Sequence, residues 1–135
     1  MKSADLARMI DRTILRPDAT EQDVITVCRE AVAHRFHAVC INPRFVPLVA
    51  RELRGSDVRT CSVIGFPLGA STTAIKSAEA AEAISGGASE IDMVMAIGAL
   101  KVSAVSSTPV RKLEDAPSSA RCETTRRRHD GRCKA

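Results

Sequence analysis

The sequence predicts an α/β fold: a parallel sheet whose strands alternate with helices. Short β-branched, apolar runs take turns with segments whose apolar residues recur at helical spacing, strand then helix three times over and then a fourth strand. Short connections in that order make a parallel sheet with right-handed crossovers. Thr13, Asn42 and the Gly65–Gly69 stretch fall at the C-terminal ends of strands, where (β/α)8 barrels keep their sites. No G-x-G-x-x-G follows the first strand and no G-x-x-x-x-G-K-[ST] occurs, so the nucleotide-binding versions of such sheets have no support.

The elements follow in order. Ser3 is a cap for a short helix carrying Leu6, Met9 and Ile10, and Asp11–Leu15 is a brief strand closed by Arg16-Pro17-Asp18. Thr20 caps the next helix, with Asp23 in the first turn where the helix dipole favours an acid. Val24, Val27, Cys28, Ala31 and Val32 form its apolar stripe. Phe36–Ile41 is the second strand, ended by Asn42-Pro43; Pro47 places the start of the following helix, Gly55 its stop. Arg59–Ile64 is the third strand, running into Gly65-Phe66-Pro67-Leu68-Gly69, whose glycines allow backbone to approach a ligand closely. Ser71 or Thr72 caps a helix over Ala74–Ser85, and Gly86-Gly87 delivers a fourth strand, Ile91–Ala96.

Composition narrows the function classes. With 44% hydrophobic residues in 135 there is enough for one core, yet aromatics are limited to three Phe, so stacking platforms for single-stranded nucleic acid are absent. Charge divides unevenly: residues 1–101 hold 12 Lys/Arg against 12 Asp/Glu, and residues 102–135 hold 8 against 4, which accounts for the whole net charge of +4. Nucleic acid is therefore not an expected partner of the main body. The N-terminus lacks the apolar run of a signal peptide and no stretch approaches a membrane span, so no membrane partner is expected. Cys28, Cys40 and Cys61 sit in apolar-periodic segments and read as reduced core thiols, which fits a cytoplasmic location.

Asp92 stands out. Five of the six residues from Ile91 to Ala96 are apolar, as in a strand buried on both faces, and the exception is an acid. By alternation Glu90, Asp92 and Val94 share one face, Ile91, Met93 and Met95 the other. An ionised carboxylate there needs donors or a cation, or a raised pKa. A proton shuttle and a structural Asp bonded to backbone amides both satisfy that demand.

Four stretches, Asp11–Thr20, Ala38–Pro43, Val63–Gly69 and Gly87–Val94, resemble in order and spacing the successive motifs of the deoxyribose-phosphate aldolase family. The resemblance covers residues 1–101 and implies the N-terminal half of a (β/α)8 TIM barrel. It implies a class I aldolase that reversibly cleaves 2-deoxy-D-ribose 5-phosphate to acetaldehyde and D-glyceraldehyde 3-phosphate, without metal or other cofactor. In such enzymes one lysine forms a Schiff base, a second tunes it, and an aspartate relays protons. Asp92 matches that aspartate; Asp11 and Thr13 match site-lining positions, and Cys40 and Asn42 share a strand face near the same mouth. The sequence departs from the family pattern at Arg12, Arg16 and Ala96, where His, Lys and Asn are usual.

The family's lysine-bearing strands have no counterpart after Lys101. Residues 102–135 are rich in Ser, Thr, Arg and Pro without sustained periodicity, read as a disordered tail, and have the character a frameshift leaves. Lys76 is expected on an exposed helix face beside Glu79, Lys101 in a loop, and Lys2, Lys112 and Lys134 in the terminal segments, all solvated, so no Schiff-base lysine is expected in this chain and the chain alone is expected to be inactive. Four parallel strands cannot close a barrel, so self-association through open sheet edges is expected. In the tail, Cys122, His129 and Cys133 make only three zinc ligands without close spacing, and Arg126–His129 offers a basic run; a small basic binding protein or a non-catalytic remnant are the competing readings.

Overall fold

The structure, a computed structural model, describes residues 3–103. The tail features named above, including the expected disorder, the three tail ligands and the Arg126–His129 run, lie outside the described residues.

The chain runs α1 (Ser3–Ala7), β1 (Asp11–Ile14), α2 (Glu21–His34), β2 (Ala38–Ile41), a 3-10 turn (Pro43–Phe45), α3 (Val46–Glu52), β3 (Arg59–Ile64), α4 (Thr73–Gly86), β4 (Glu90–Met93) and α5 (Ile97–Ser103). The four strands form one parallel sheet in the order β1-β2-β3-β4. Local chemistry explains the helix ends. The Thr20 hydroxyl accepts from the Asp23 N–H while the Asp23 carboxylate accepts from the Thr20 N–H, a reciprocal cap on α2. The Thr72 hydroxyl accepts from the Ile75 N–H to start α4. Pro47 occupies the first turn of α3, where a missing N–H costs nothing.

Alternation along the strands sorts two layers. Val39, Ile41 and Ile64, with Ile14 and Ile91 at the margins, pack against Val24, Val27, Cys28 and Ala31 of α2, Val46 and Val49 of α3 and Ala83 of α4. Val24, Val39, Ile41, Val49 and Ile64 are fully buried, each stabilising the fold by about 1.5–3 kcal/mol. On the opposite face Ala38, Cys40, Cys61 and Val63 form a smaller cluster with Leu15.

Several expectations need correction. α1 ends at Ala7, so Met9 and Ile10 follow the helix as exposed residues; the segment has too few turns to bury them. Val32, at the edge of the α2 stripe, is exposed. α3 ends at Glu52 with Leu53 as its cap, short of the stop expected at Gly55. β4 is not buried on both faces: its pattern runs from half-buried Glu90 and Ile91 to exposed Asp92 and Met93, because β4 is a sheet edge among the described residues. Lys101 lies in the helix α5 and not in a loop; Ile97 and Leu100, at i and i+3, give that helix an apolar side.

The largest correction is Lys76. It is buried, 7% exposed, and its Nζ donates to the Val94 carbonyl at 2.7 Å. Lys76, Ala80 and Ala83 lie at i, i+4 and i+7, so the lysine shares the stripe that α4 turns to the sheet. Its stem passes under Gly65, where a Cβ would stand 2.8 Å from Lys76 Cε.

Candidate functional site

The face of the sheet away from the helices carries the candidate residues in rows set by the strand register. Asp11, Ala38 and Arg59 form the first row, Thr13, Cys40, Cys61 and Glu90 the second, and Val63 and Asp92 the third. Thr13, Cys40 and Asp92 thus share one face, with Asp11 on the same face at the strand-entry end. Asp92 is exposed there, in the last row before the strand's C-terminal end.

Cys40 and Cys61 are register partners, both buried and both free thiols. A hydrogen bond between them pulls the Cys40 thiol below its ordinary pKa, against burial and the negative charges of Asp92 and Asp11. The same bond, with burial and the same two acids, pushes Cys61 up. The third thiol, Cys28, lies in the helix-side core; burial first and then the charge of Glu52 raise it to about 11.

A second polar cluster closes the strand-entry end. Glu90 Oε1 lies 3.0 Å from His37 Nε2 and also accepts from Arg59 Nη1. The Arg59 hydrogen bond first, then that of His37, hold the Glu90 carboxyl below its ordinary range. One ligand atom from each of Asp11, His37 and Glu90 falls within 4.8 Å of the others. A cation there would have to displace the Arg59 guanidinium from Glu90.

At the other end, the loop after β3 is built against its own chain. A Cβ on Gly69, whose φ is +65°, would meet the Met95 carbonyl oxygen at 2.1 Å. The close approach expected of this loop is thus made to the segment leaving β4. The Gly65 N–H donates to Glu79 Oε2 at 2.8 Å, and Lys76 ties Val94 from below. A cavity of about 310 Å³ lies along residues 65–71.

Asn42 commits its amide to the Leu15 carbonyl at 3.2 Å, strapping β2 to the end of β1. Arg12 turns to the helix side, its Nε and Nη2 both on Glu30 Oε2 at 2.9 and 2.8 Å. Arg16 pairs with Asp18 and Asp23 at 3.1 and 2.6 Å. The His37–Glu90–Arg59 cluster and the Lys76 tie were not foreseen in the sequence; the one signal was that Glu90 shares a face with Asp92. None of Asp11, Thr13, Cys40, Asn42 or Asp92 lines the 310 Å³ cavity, or the larger one of about 510 Å³ at the strand-entry end.

The known proteins to which this chain is similar are aldolases. The model of a family described as DeoC/LacD family aldolase matches residues 6–120, past the boundary expected at 101. Deoxyribose-phosphate aldolase of Clostridium tetani is 53% identical over 97 residues, 72% of this chain and 45% of that protein. The Bacillus mycoides enzyme of the same name is 55% identical over 97 residues, 72% and 44% of the two chains. Among solved structures, a tetrameric deoxyribose phosphate aldolase from Aeropyrum pernix superposes with a TM-score of 0.69 at 37% identity, covering 73% of this chain and 42% of that one. An aldolase called QR15 gives 0.69 at 35% identity, covering 74% and 44%. The chain thus spans less than half the length of each of these relatives.

Proposed function

The chain belongs to the DeoC/LacD family of aldolases, and from that membership we propose that it is the aspartate-bearing half of a deoxyribose-phosphate aldolase site. The reaction is reversible retro-aldol cleavage of 2-deoxy-D-ribose 5-phosphate to acetaldehyde and D-glyceraldehyde 3-phosphate through a lysine Schiff base. The observation that carries this reading is the position of Asp92: an exposed acid near the C-terminal end of a parallel strand, on the face away from the helices. Forming an imine from an amine and an aldehyde expels water, which needs a proton at the departing hydroxyl; cleaving the carbon–carbon bond needs one removed from the substrate hydroxyl. Asp92 is the group to move both. Thr13 and Cys40 line the approach and Asp11 sets its charge. Asn42 acts on the substrate only indirectly, through β1.

The nucleophile comes from outside residues 3–103. A Schiff-base lysine needs a depressed pKa, from desolvation or a neighbouring cation, together with an amine free to meet the substrate carbonyl. Lys76 is buried and donates to Val94, while Lys101 is exposed on α5 and lines neither of the two cavities described above. Residues 3–103 by themselves therefore carry no nucleophile, and activity requires lysine-bearing βα units on the open edges of the sheet. No helix among the described residues is long and apolar enough to cross a membrane. A reducing compartment, the cytoplasm, fits the three free buried thiols.

The test is borohydride reduction in the presence of deoxyribose 5-phosphate, followed by mass spectrometry. The chain alone should form no adduct. Co-expressed with the C-terminal half of a family aldolase, it should support retro-aldol cleavage with the adduct on the partner's lysine. A stoichiometric adduct on Lys76 or Lys101 would overturn the assignment of the nucleophile.

A further inference from the structure

A cavity of about 510 Å³ lies at the strand-entry end of the sheet, away from Asp92 and the loop after β3. It sits between the α2–β2 and α3–β3 connections, under the end of α1. Its size is within the range of small-molecule pockets. In parallel α/β sheets this end ordinarily serves stability, and its loops are expected to pair their charges.

Here they do not. Arg8, Arg35 and Arg59 line the cavity against a single acid, Asp57. Arg59 shares one guanidinium nitrogen with Glu90, and Arg8 and Arg35 have no ion-pair partner among the described residues. Arg35 adds a separate observation. It is the αL cap of α2, with φ +55° and ψ +45°, and among the described residues it alone combines positive φ with a side chain. Glycine or asparagine is the ordinary occupant of such a cap, and a side chain kept in that region points to a use for it. The back wall is apolar: Val32, the half-exposed residue of the α2 stripe, with Phe36 and Val58.

We propose that this cavity is a second binding site, for a small molecule that joins a phosphate to a flat aromatic ring, as a nucleoside 5′-monophosphate does. Arg8 and Arg35 take the phosphate, with the free nitrogens of Arg59 behind them, since guanidinium forks match phosphate oxygens. The ring lies on Val32, Phe36 and Val58. A bare phosphate ion would leave the apolar wall wet and most of the volume unfilled, which selects the larger ligand.

Calorimetric titration of the full chain with AMP at low ionic strength tests this, with inorganic phosphate and adenosine as parallel probes. AMP should bind saturably at one site, at least about tenfold more tightly than either probe, and weaken with added salt. Arg35→Gly suits the αL backbone, so thermal stability should hold or rise while AMP affinity falls about tenfold. Arg35→Lys keeps the charge but loses the fork, so it should lower AMP affinity, though by less than Arg35→Gly does. Asp92→Asn should leave it unchanged, which separates this site from the aldolase mouth. The proposal is overturned by an absence of saturable AMP binding, by phosphate binding as tightly as AMP, by affinity that survives Arg8→Ala and Arg35→Gly together, or by binding that Asp92→Asn abolishes.

Discussion

Asp92 and Lys76 exchange the environments that their neighbours in sequence suggest. The acid, set in an apolar run, is exposed; the lysine, set in a polar-looking helix, is buried. Exposure makes Asp92 inexpensive to the fold, so Asp92→Asn should change stability by less than about 0.5 kcal/mol. In a barrel completed by lysine-bearing units, the same change should lower the retro-aldol rate by about 10²-fold or more, as for a lost acid–base group. Activity indifferent to the substitution would remove Asp92 from the mechanism. Lys76→Met keeps the stem under Gly65 and deletes the donor to Val94. It should cost about 1.5–3 kcal/mol in urea unfolding, the range for a hydrogen bond from a charged group. Trinitrobenzenesulfonate should modify Lys101 well before Lys76 in the folded wild type; equal rates would contradict the burial.

At the scale of elements, the α2 cap and the β4 entrance are the points most open to measurement. Thr20→Ala removes the hydroxyl half of the reciprocal cap, leaving the backbone N–H of residue 20 on Asp23, and should cost about 1 kcal/mol. Glu90 joins β4 to Arg59 of β3 and to His37 ahead of β2. These partners depress its pKa in the fold, so the unfolded chain takes up that proton at a higher pH than the folded one. The stabilisation is complete well above the ordinary glutamate value of about 4.3, and is lost as pH falls through the lower folded value. Glu90→Gln should therefore cost about 1 kcal/mol at neutral pH, discounted for partial exposure, and little at pH 3. Urea midpoints of both proteins at the two pH values check this; a gap that widens on acidification would reverse the sign. Gly69→Ala should unseat the loop after β3, since the added carbon collides with the Met95 carbonyl and φ is positive. The loss should show as faster amide exchange at residues 65–69 and 94–96.

Over the whole molecule, the sheet has one side sealed by helices and two strands, β1 and β4, without outer neighbours among the described residues. Beside the β4 edge stand Met93, Met95, Ile97 and Leu100, all about half exposed. Such an edge pairs with whatever parallel strand reaches it. Sedimentation at micromolar concentrations should find dimers or larger species, and Met93→Lys should shift them toward monomer. A compact monomer that unfolds cooperatively and ignores Met93→Lys would count against open edges.

Much of this was legible in the chain because it depends on neighbours within a few residues. The strand–helix alternation, the Arg59–Ile64 strand, the Thr20 and Thr72 caps and the shared face of Glu90 and Asp92 all follow from side-chain periods of 2 and 3.6 and from hydrogen bonds that span three residues. The motifs at 11–20, 38–43, 63–69 and 87–94 placed the chain in its family on the same local footing. Tertiary structure alone decided which groups meet across strands and layers. Parallel register put Cys40 beside Cys61 and Glu90 beside Arg59 and His37, partners 21 to 53 residues apart in the chain. The packing of α4 on the sheet buried Lys76, and the edge position of β4 left Asp92 in water. Hydropathy along one chain cannot report these, because each depends on which surface a distant segment covers.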